Sequence, residues 1–270
     1  MLTSYHCHSR WSDGEGEIAD FVRHAAEIGL DEIGLSDHYV LTPDRLHVEW
    51  AMPLDALDRY RDVLRSAAEE AGPNLIVRLG LEADFIPETA GDLRDLLADR
   101  PFDYVIGSVH SVDGFPIDTS PDDWTRLSQT QRDGLIRAYW VRIRQMAESG
   151  IYDFAGHLDL TKKFGFYPSV DISSEVSAAL DAIAAAGMAA ELNTSGWHVP
   201  ACEAYPSPDI VRGCFERGIP MLVTADAHTP ANIVRSFKRG YRLLRETGYQ
   251  EVASFWRRSL RCQPMPERVD

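Results

Sequence analysis

Short runs of apolar and β-branched residues recur along the chain, and each is followed by a stretch whose apolar positions repeat every three or four residues. The runs at 3–7, 32–36, 75–81, 104–109, 151–155, 188–192 and 220–224 read as strands. They are brief and rich in apolar residues, as strands covered on both faces are. The stretches at 18–28, 53–71, 93–97, 122–148, 173–186, 207–217 and 231–245 read as helices. In the first of them Ile18, Phe21, Val22, Ala25 and Ile28 share one face, the spacing of a helix buried along one side. Gly29, Gly72, Gly150, Gly187 and Gly218 stand where helical patterns stop, consistent with helix C-caps. The segment 256–270 is basic and weakly periodic, and reads as a tail.

Strands alternating with helices predict a parallel sheet, because parallel neighbours need a crossover and a helix normally supplies it. The series has no break in composition, so the expected α/β fold is a single barrel domain over residues 1–270. Seven strand–helix units instead of eight would make it a distorted or incomplete barrel. Composition adds exclusions. With 44% hydrophobic and 26% charged residues the chain is neither disordered nor fibrous. Its 27 basic and 42 acidic residues leave a formal net charge of −15, which repels phosphate backbones and argues against a nucleic-acid partner. No window approaches the roughly 18 apolar residues of a membrane span. The opening residues carry neither the basic nor the apolar region of a secretory leader, and the four cysteines form no CxxC pair. The expectation is a cytoplasmic protein with no membrane partner. Nothing in the sequence marks an oligomeric interface.

The candidate chemistry sits at the strand ends. His6 and His8 close the first predicted strand on one face, since side chains alternate with period two. Asp37 and His38 follow the second, Glu82 the third, His110 the fourth and His157 the fifth. Asn193 ends the sixth, and Asp226 and His228 follow the seventh. In a parallel barrel the strand C-termini converge on one mouth, so residues far apart in sequence meet there. Imidazole with carboxylate suits Zn, Mn or Fe, and a carboxylate such as Glu82 can bridge two ions. His24, within a helix, and His47, in a polar loop, read as ordinary surface or core histidines, and Asp37 also reads as a cap.

The set His6-x-His8 with Asp13, Ser36-Asp37-His38, Gly80-Leu81-Glu82, Gly107-Ser108-Val109-His110, Gly156-His157 and Asp226-Ala227-His228 resembles the polymerase and histidinol phosphatase (PHP) superfamily. The stretches 102–110, 157–164 and Glu191-Leu192-Asn193-Thr194-Ser195-Gly196, with Asp113-Gly114 and Pro116-Ile117-Asp118, are most similar to its histidinol-phosphate phosphatase branch. The resemblance implies a distorted (β/α)7, TIM-like barrel of PHP type with three divalent metal ions. His6, His8, Glu82 and Asp226 would hold the first. Glu82 would bridge to a second on His110 and His157, and Asp13, His38 and His228 would hold a third. The family often has His where this chain has Asp13. Where the branch commonly has a basic residue after Asn-Thr-Ser-Gly-x, this chain has His198.

The expected activity is hydrolysis of a small phosphorylated substrate, L-histidinol phosphate in histidine biosynthesis, by attack of a metal-bridging hydroxide. Glu82, Asp226 and His228 are the catalytic candidates, with Asp226 or His228 passing the proton to the leaving alkoxide. Lys162, Lys163, His198 and Asn193 are the substrate-binding candidates, and Asp84, Glu88 and Glu203 are candidates to meet a substrate amine. The rival readings are another small phosphate ester, a 3′–5′ exonuclease, an amidohydrolase-like reaction and a non-catalytic metal-stabilised module. The acidic surface counts against the exonuclease, and the complete ligand set against the inert module.

Overall fold

A computed structural model describes residues 1–267. Seven parallel strands form the barrel wall: β1 (Thr3–Ser4), β2 (Glu32–Leu35), β4 (Ile76–Asp84), β5 (Tyr104–Ser108), β8 (Phe154–Ala155), β9 (Ala189–Asn193) and β10 (Met221–Thr224), adjacent in that order. The two edges meet through one parallel bridge, Cys7 to Ala227, in which the His8 N–H donates to Ala227 O at 2.9 Å and the Ala227 N–H to His6 O at 3.0 Å. That bridge lies among the predicted ligands, so closing the barrel and assembling the site are one event. A short strand β3 (His38–Tyr39) lies beside β4 with His38 in register with Glu82.

Around the wall lie α1 (Ile18–Glu27), α2 (Leu57–Glu70), α3 (Ala90–Ala98), α4 (Pro121–Thr125), α5 (Gln129–Glu148), α6 (Ser173–Ala185), α7 (Pro208–Glu216) and α8 (Phe237–Thr247). The periodicity works as expected in α1, which buries Ile18, Phe21 and Ala25 and starts in a capping box between Glu17 and Asp20. The predicted helix 122–148 is two helices. Ser128 interrupts the pattern, accepting from the Gln131 N–H and starting α5 as its N-cap. The predicted helix 231–245 begins late as well: a 3₁₀ turn covers Pro230–Asn232, and α8 starts only after Ser236, whose φ of 63° is left-handed. A hairpin of β6 (Ser111–Val112) and β7 (Phe115–Pro116) follows β5.

Tyr104 fills the barrel interior, and its hydroxyl donates to Tyr5 O at 2.5 Å. Gly34 and Gly80 make room for that ring: a Cβ on either would lie 2.1 to 2.3 Å from its hydroxyl oxygen. Below it Arg78 grips buried Glu32 with two bonds of 2.7 Å each.

The predicted tail is a correction. Residues 251–264 form a hairpin, β11 (Glu251–Trp256) with β12 (Ser259–Pro264). Ala253 and Phe255 pack against Tyr5, Tyr104, Phe154 and Leu222 and close the barrel floor. The two turn residues, Arg257 and Arg258, have φ of 49° and 62°. Such turns usually carry Asn or Gly, so no turn signal is visible in the sequence. Asp103 holds the turn instead, its carboxylate accepting from the Arg257 N–H at 3.0 Å and its carbonyl from the Arg258 N–H at 2.8 Å. The remainder of the segment, 268–270, lies outside the described residues. Among those described, no helix is long and apolar enough to cross a membrane.

Candidate metal centre

The strand-end residues meet at the C-terminal mouth of the barrel. Glu82 is fully buried at its centre. One carboxylate oxygen faces His6 Nε2 at 3.1 Å, His38 Nδ1 at 2.8 Å and His8 Nε2 at 3.4 Å. The other lies 2.9 Å from His157 Nε2 and 3.7 Å from His110 Nε2, and accepts from the Ser108 hydroxyl at 2.5 Å. Asp226 Oδ1 faces His8 Nε2 at 3.1 Å and His6 Nε2 at 3.6 Å. Asp13 lies 3.3 Å from His228 Nε2 and 3.7 Å from His38 Nε2.

Donor atoms within 4.8 Å of one another form the sets His6/His8/Asp226, His6/Glu82/His157, His38/Glu82/His110 and His8/Asp13/His38/His228. All nine predicted ligands fall in these sets, with Glu82 shared between two of them.

The donor set fits divalent cations. His6 Nε2, His38 Nδ1 and Glu82 Oε2 are buried, face one another and have no hydrogen-bond partner. Lone pairs so opposed are costly unless a positive charge lies among them. Burial alone would keep the cluster neutral, yet the opposed charges dominate. Burial would raise Glu82 and Asp226, but the imidazoles of His38 and His6 for Glu82, and of His6 and His8 for Asp226, hold both carboxyls well below the usual range. Burial is likewise outweighed at His110, pushed up to about 10 by Asp84, and at His228, pushed up to about 9 by Asp13 and Asp226. His8 goes the other way: burial, then His38 and His228, hold it near 3, so it stays a neutral donor. A field that draws protons onto imidazoles also draws a metal cation in their place.

A second layer aims the donors. His6 Nδ1 meets Glu191 at 2.8 Å, and His110 Nδ1 meets Asp84 at 2.7 Å. Each contact leaves the ring's other nitrogen facing the centre. Asp37 accepts from the Ser9 N–H, the Ser9 hydroxyl and the Ser12 hydroxyl at 2.7, 2.9 and 2.7 Å. It thereby fixes the loop that carries Asp13. Asp226 itself has φ of 50°, in the left-handed region; such a backbone persists only where surroundings enforce it, here beside the Cys7–Ala227 bridge.

A cavity of about 400 Å³ opens over the cluster. Trp50 walls it, edge-on to His38 and His110 with ring centroids 4.9 and 5.2 Å away. Lys163 and His198 line it, whereas Lys162 and Asn193 do not. Lys162 is buried and paired with Glu203 at 2.6 Å and Asp159 at 2.8 Å. Asn193 lies under the cluster and bonds Glu191 at 2.9 Å and Asp226 at 3.3 Å. The acids expected to meet an amine are elsewhere engaged or placed: Asp84 sits behind His110, Glu203 is paired with Lys162, and Glu88 is exposed off the cavity. Besides Asp13 and Asp226, the acid that lines the cavity is Asp118, and Arg235 is a lining cation. Sequence reasoning passed over Trp50, Asp118 and Arg235 as site residues because none stands at a strand end.

Fold and site together define a distorted parallel barrel with a multi-ligand histidine–carboxylate centre at its mouth. Residues 4–195 match the PHP domain model. A Deinococcus radiodurans protein named "Probable histidinol-phosphatase" is 36% identical over 237 residues, covering 88% of this chain and 90% of its own. A Lactococcus lactis histidinol-phosphatase is 24% identical over 259 residues, with 93% of each chain covered. A crystal structure of histidinol phosphate phosphatase from Lactococcus lactis, complexed with Zn, L-histidinol and phosphate, has a TM-score of 0.82 at 21% identity and covers 96% of this chain and 98% of its own. The chain belongs to the PHP domain family.

Proposed function

We propose that the chain is a metal-dependent phosphomonoesterase that hydrolyses L-histidinol phosphate to L-histidinol and inorganic phosphate, working in the cytoplasm. The observation that carries the reading is Glu82: a buried carboxylate faced by four imidazoles at 2.8 to 3.4 Å, beneath a cavity of about 400 Å³. A cavity of that size suits a small monoester better than a polynucleotide. The histidinol-phosphatase names of the relatives point to the particular ester.

In this reading three divalent ions, Zn, Mn or Fe, would be held by His6, His8, Glu82 and Asp226, by Glu82, His110 and His157, and by Asp13, His38 and His228. When bound, they would supply Lewis acidity that neutralises phosphate oxygens and lowers the pKa of water towards about 7. Glu82, with His6, His8 and His38 about one oxygen and His157 about the other, would belong to two of these ligand sets. Asp226 and His228 both line the cavity, and one of them would pass the proton given up by the attacking water to the alkoxide released as the ester P–O bond breaks. Glu191 and Asp84 keep His6 and His110 oriented throughout.

The test is turnover of L-histidinol phosphate against a panel of phosphomonoesters by metal-replete protein. His110→Ala is expected to cost about 100-fold or more, at least what is lost when an outer partner of a ligand is removed. No turnover of any monoester, or full activity in His110→Ala, would sink the reading. Preference for a different ester by orders of magnitude would reassign the substrate.

A further inference from the structure

We propose that Arg235, on the loop between β10 and α8, is the side chain that grips the substrate's phosphate. The proposal rests on the phosphomonoesterase reading and adds to it a specificity-determining residue from outside the strand ends.

Arg235 lines the same cavity as Asp13, Asp226 and His228. Its Nε is buried and has no hydrogen-bond partner. Among the described residues no carboxylate lies within 4.0 Å of its guanidinium nitrogens. An arginine left unpaired at a cavity wall stands out in a chain of net charge −15.

The other cations nearby are committed. Lys162 is buried between Glu203 and Asp159, off the cavity. Lys163 is tied to Asp118 at 3.1 Å. His198 bonds Ser236 Oγ at 2.9 Å through Nε2. Burial, with Arg235 and Arg239 adding to it, lowers His198 below its ordinary value, so at neutral pH that ring carries little charge. Arg235 therefore remains as the free, permanently charged group. Its planar fork can hold two phosphate oxygens at once, which neither a lysine nor a neutral imidazole does.

The backbone aims it. Arg235 O accepts the Thr194 hydroxyl at 2.6 Å, and that hydroxyl also reaches Thr224 O at 2.9 Å. The loop is thus pinned to the ends of β9 and β10, and the left-handed Ser236 turns the chain into α8 immediately afterwards. Thr194 and Ser236 act as positioning residues; Arg235 touches the substrate.

The experiment compares the metal-loaded full chain with Arg235→Gln, Arg235→Lys and the charge control Lys238→Gln, whose side chain lies exposed on α8. Two quantities are read: KM for L-histidinol phosphate, and the affinity for inorganic phosphate by calorimetry. Arg235→Gln is expected to weaken both by about 10- to 100-fold, the range for a charged hydrogen bond. Arg235→Lys should recover part of the loss, and Lys238→Gln should stay within about two-fold of the parent. Metal content and circular dichroism accompany each variant, and Arg235→Lys carries the test if Arg235→Gln does not fold. Phosphate affinity unchanged in Arg235→Gln, or weakened equally in Lys238→Gln, overturns the proposal. The calorimetric arm needs no turnover, so it separates failure here from failure of the phosphomonoesterase reading.

Discussion

An imidazole that faces Glu82 has its lone pair aimed by whatever its other nitrogen bonds, and that partner is traceable for His6 and His110. Glu191 meets His6 at 2.8 Å while also accepting from the His157 N–H at 2.5 Å, the Thr224 hydroxyl at 2.8 Å and Asn193 at 2.9 Å. It therefore ties three strand ends to one ligand. Glu191→Gln keeps the shape, removes the charge and turns one acceptor into a donor. Metal affinity is expected to fall about 10- to 100-fold, measured by competition with a chelating dye. Unaltered affinity would show that Glu191 does not orient His6. The residue was legible only as a member of the Glu191-Leu192-Asn193-Thr194-Ser195-Gly196 motif, because its role is set by a partner 185 positions away.

Among the elements, the strands were the more legible and the helix starts the less. A buried strand shows its apolar run whatever its neighbours do, and the seven wall strands fall inside or overlap the predicted ones. Periodicity alone reads through a cap, so Ser128 and the stretch from Ile233 to Ser236 were absorbed into helices. The hairpin at 251–264 was the larger miss. Its strands face the floor with Ala253 and Phe255, but its turn has the residues of a solvated loop. Phe255 is 1% exposed against Tyr5, Tyr104 and Phe154. Phe255→Ala is expected to cost about 3 to 5 kcal/mol in urea unfolding. A loss below about 1 kcal/mol would mean that the floor is not part of the cooperative core.

At the scale of the molecule, closing the barrel brings acidic side chains together, and the cluster is repulsive until cations or protons enter it. Ligands that bind only the folded chain stabilise it by mass action, by about 3 kcal/mol at a hundred times Kd. Removing divalent metal with a chelator should therefore lower the Tm, and adding Zn or Mn back should restore it. A Tm indifferent to both would count against a metal centre.

The pH response has a separate contributor at the foot of the wall. Burial pushes Asp153 up to about 6, although Arg258 and the Val105 N–H, which donates at 2.6 Å, oppose the shift. A raised carboxyl holds its proton more tightly in the folded chain. Its stabilising contribution is thus complete below the unfolded value, near 3.9, and is lost as pH rises through about 6. Comparing Asp153→Asn with the parent in urea at pH 4, 5, 6 and 7, the parent should lose about 2 to 3 kcal/mol relative to the variant across that interval. A constant gap would contradict the shift.

The sequence by itself determined the barrel and where the metal-type residues would gather. Strand periodicity is local, and the mouth of a parallel barrel collects strand ends wherever they lie in the chain. Only the tertiary structure decided which side chains face the cavity and which are spent on one another. Lys162 and Asp84 looked free in the sequence and are paired; Arg235 looked like one more basic residue of a helix and lines the cavity on a loop pinned by Thr194. Pairing depends on contacts across dozens of residues, and those exist only once the wall has closed at Cys7 and Ala227.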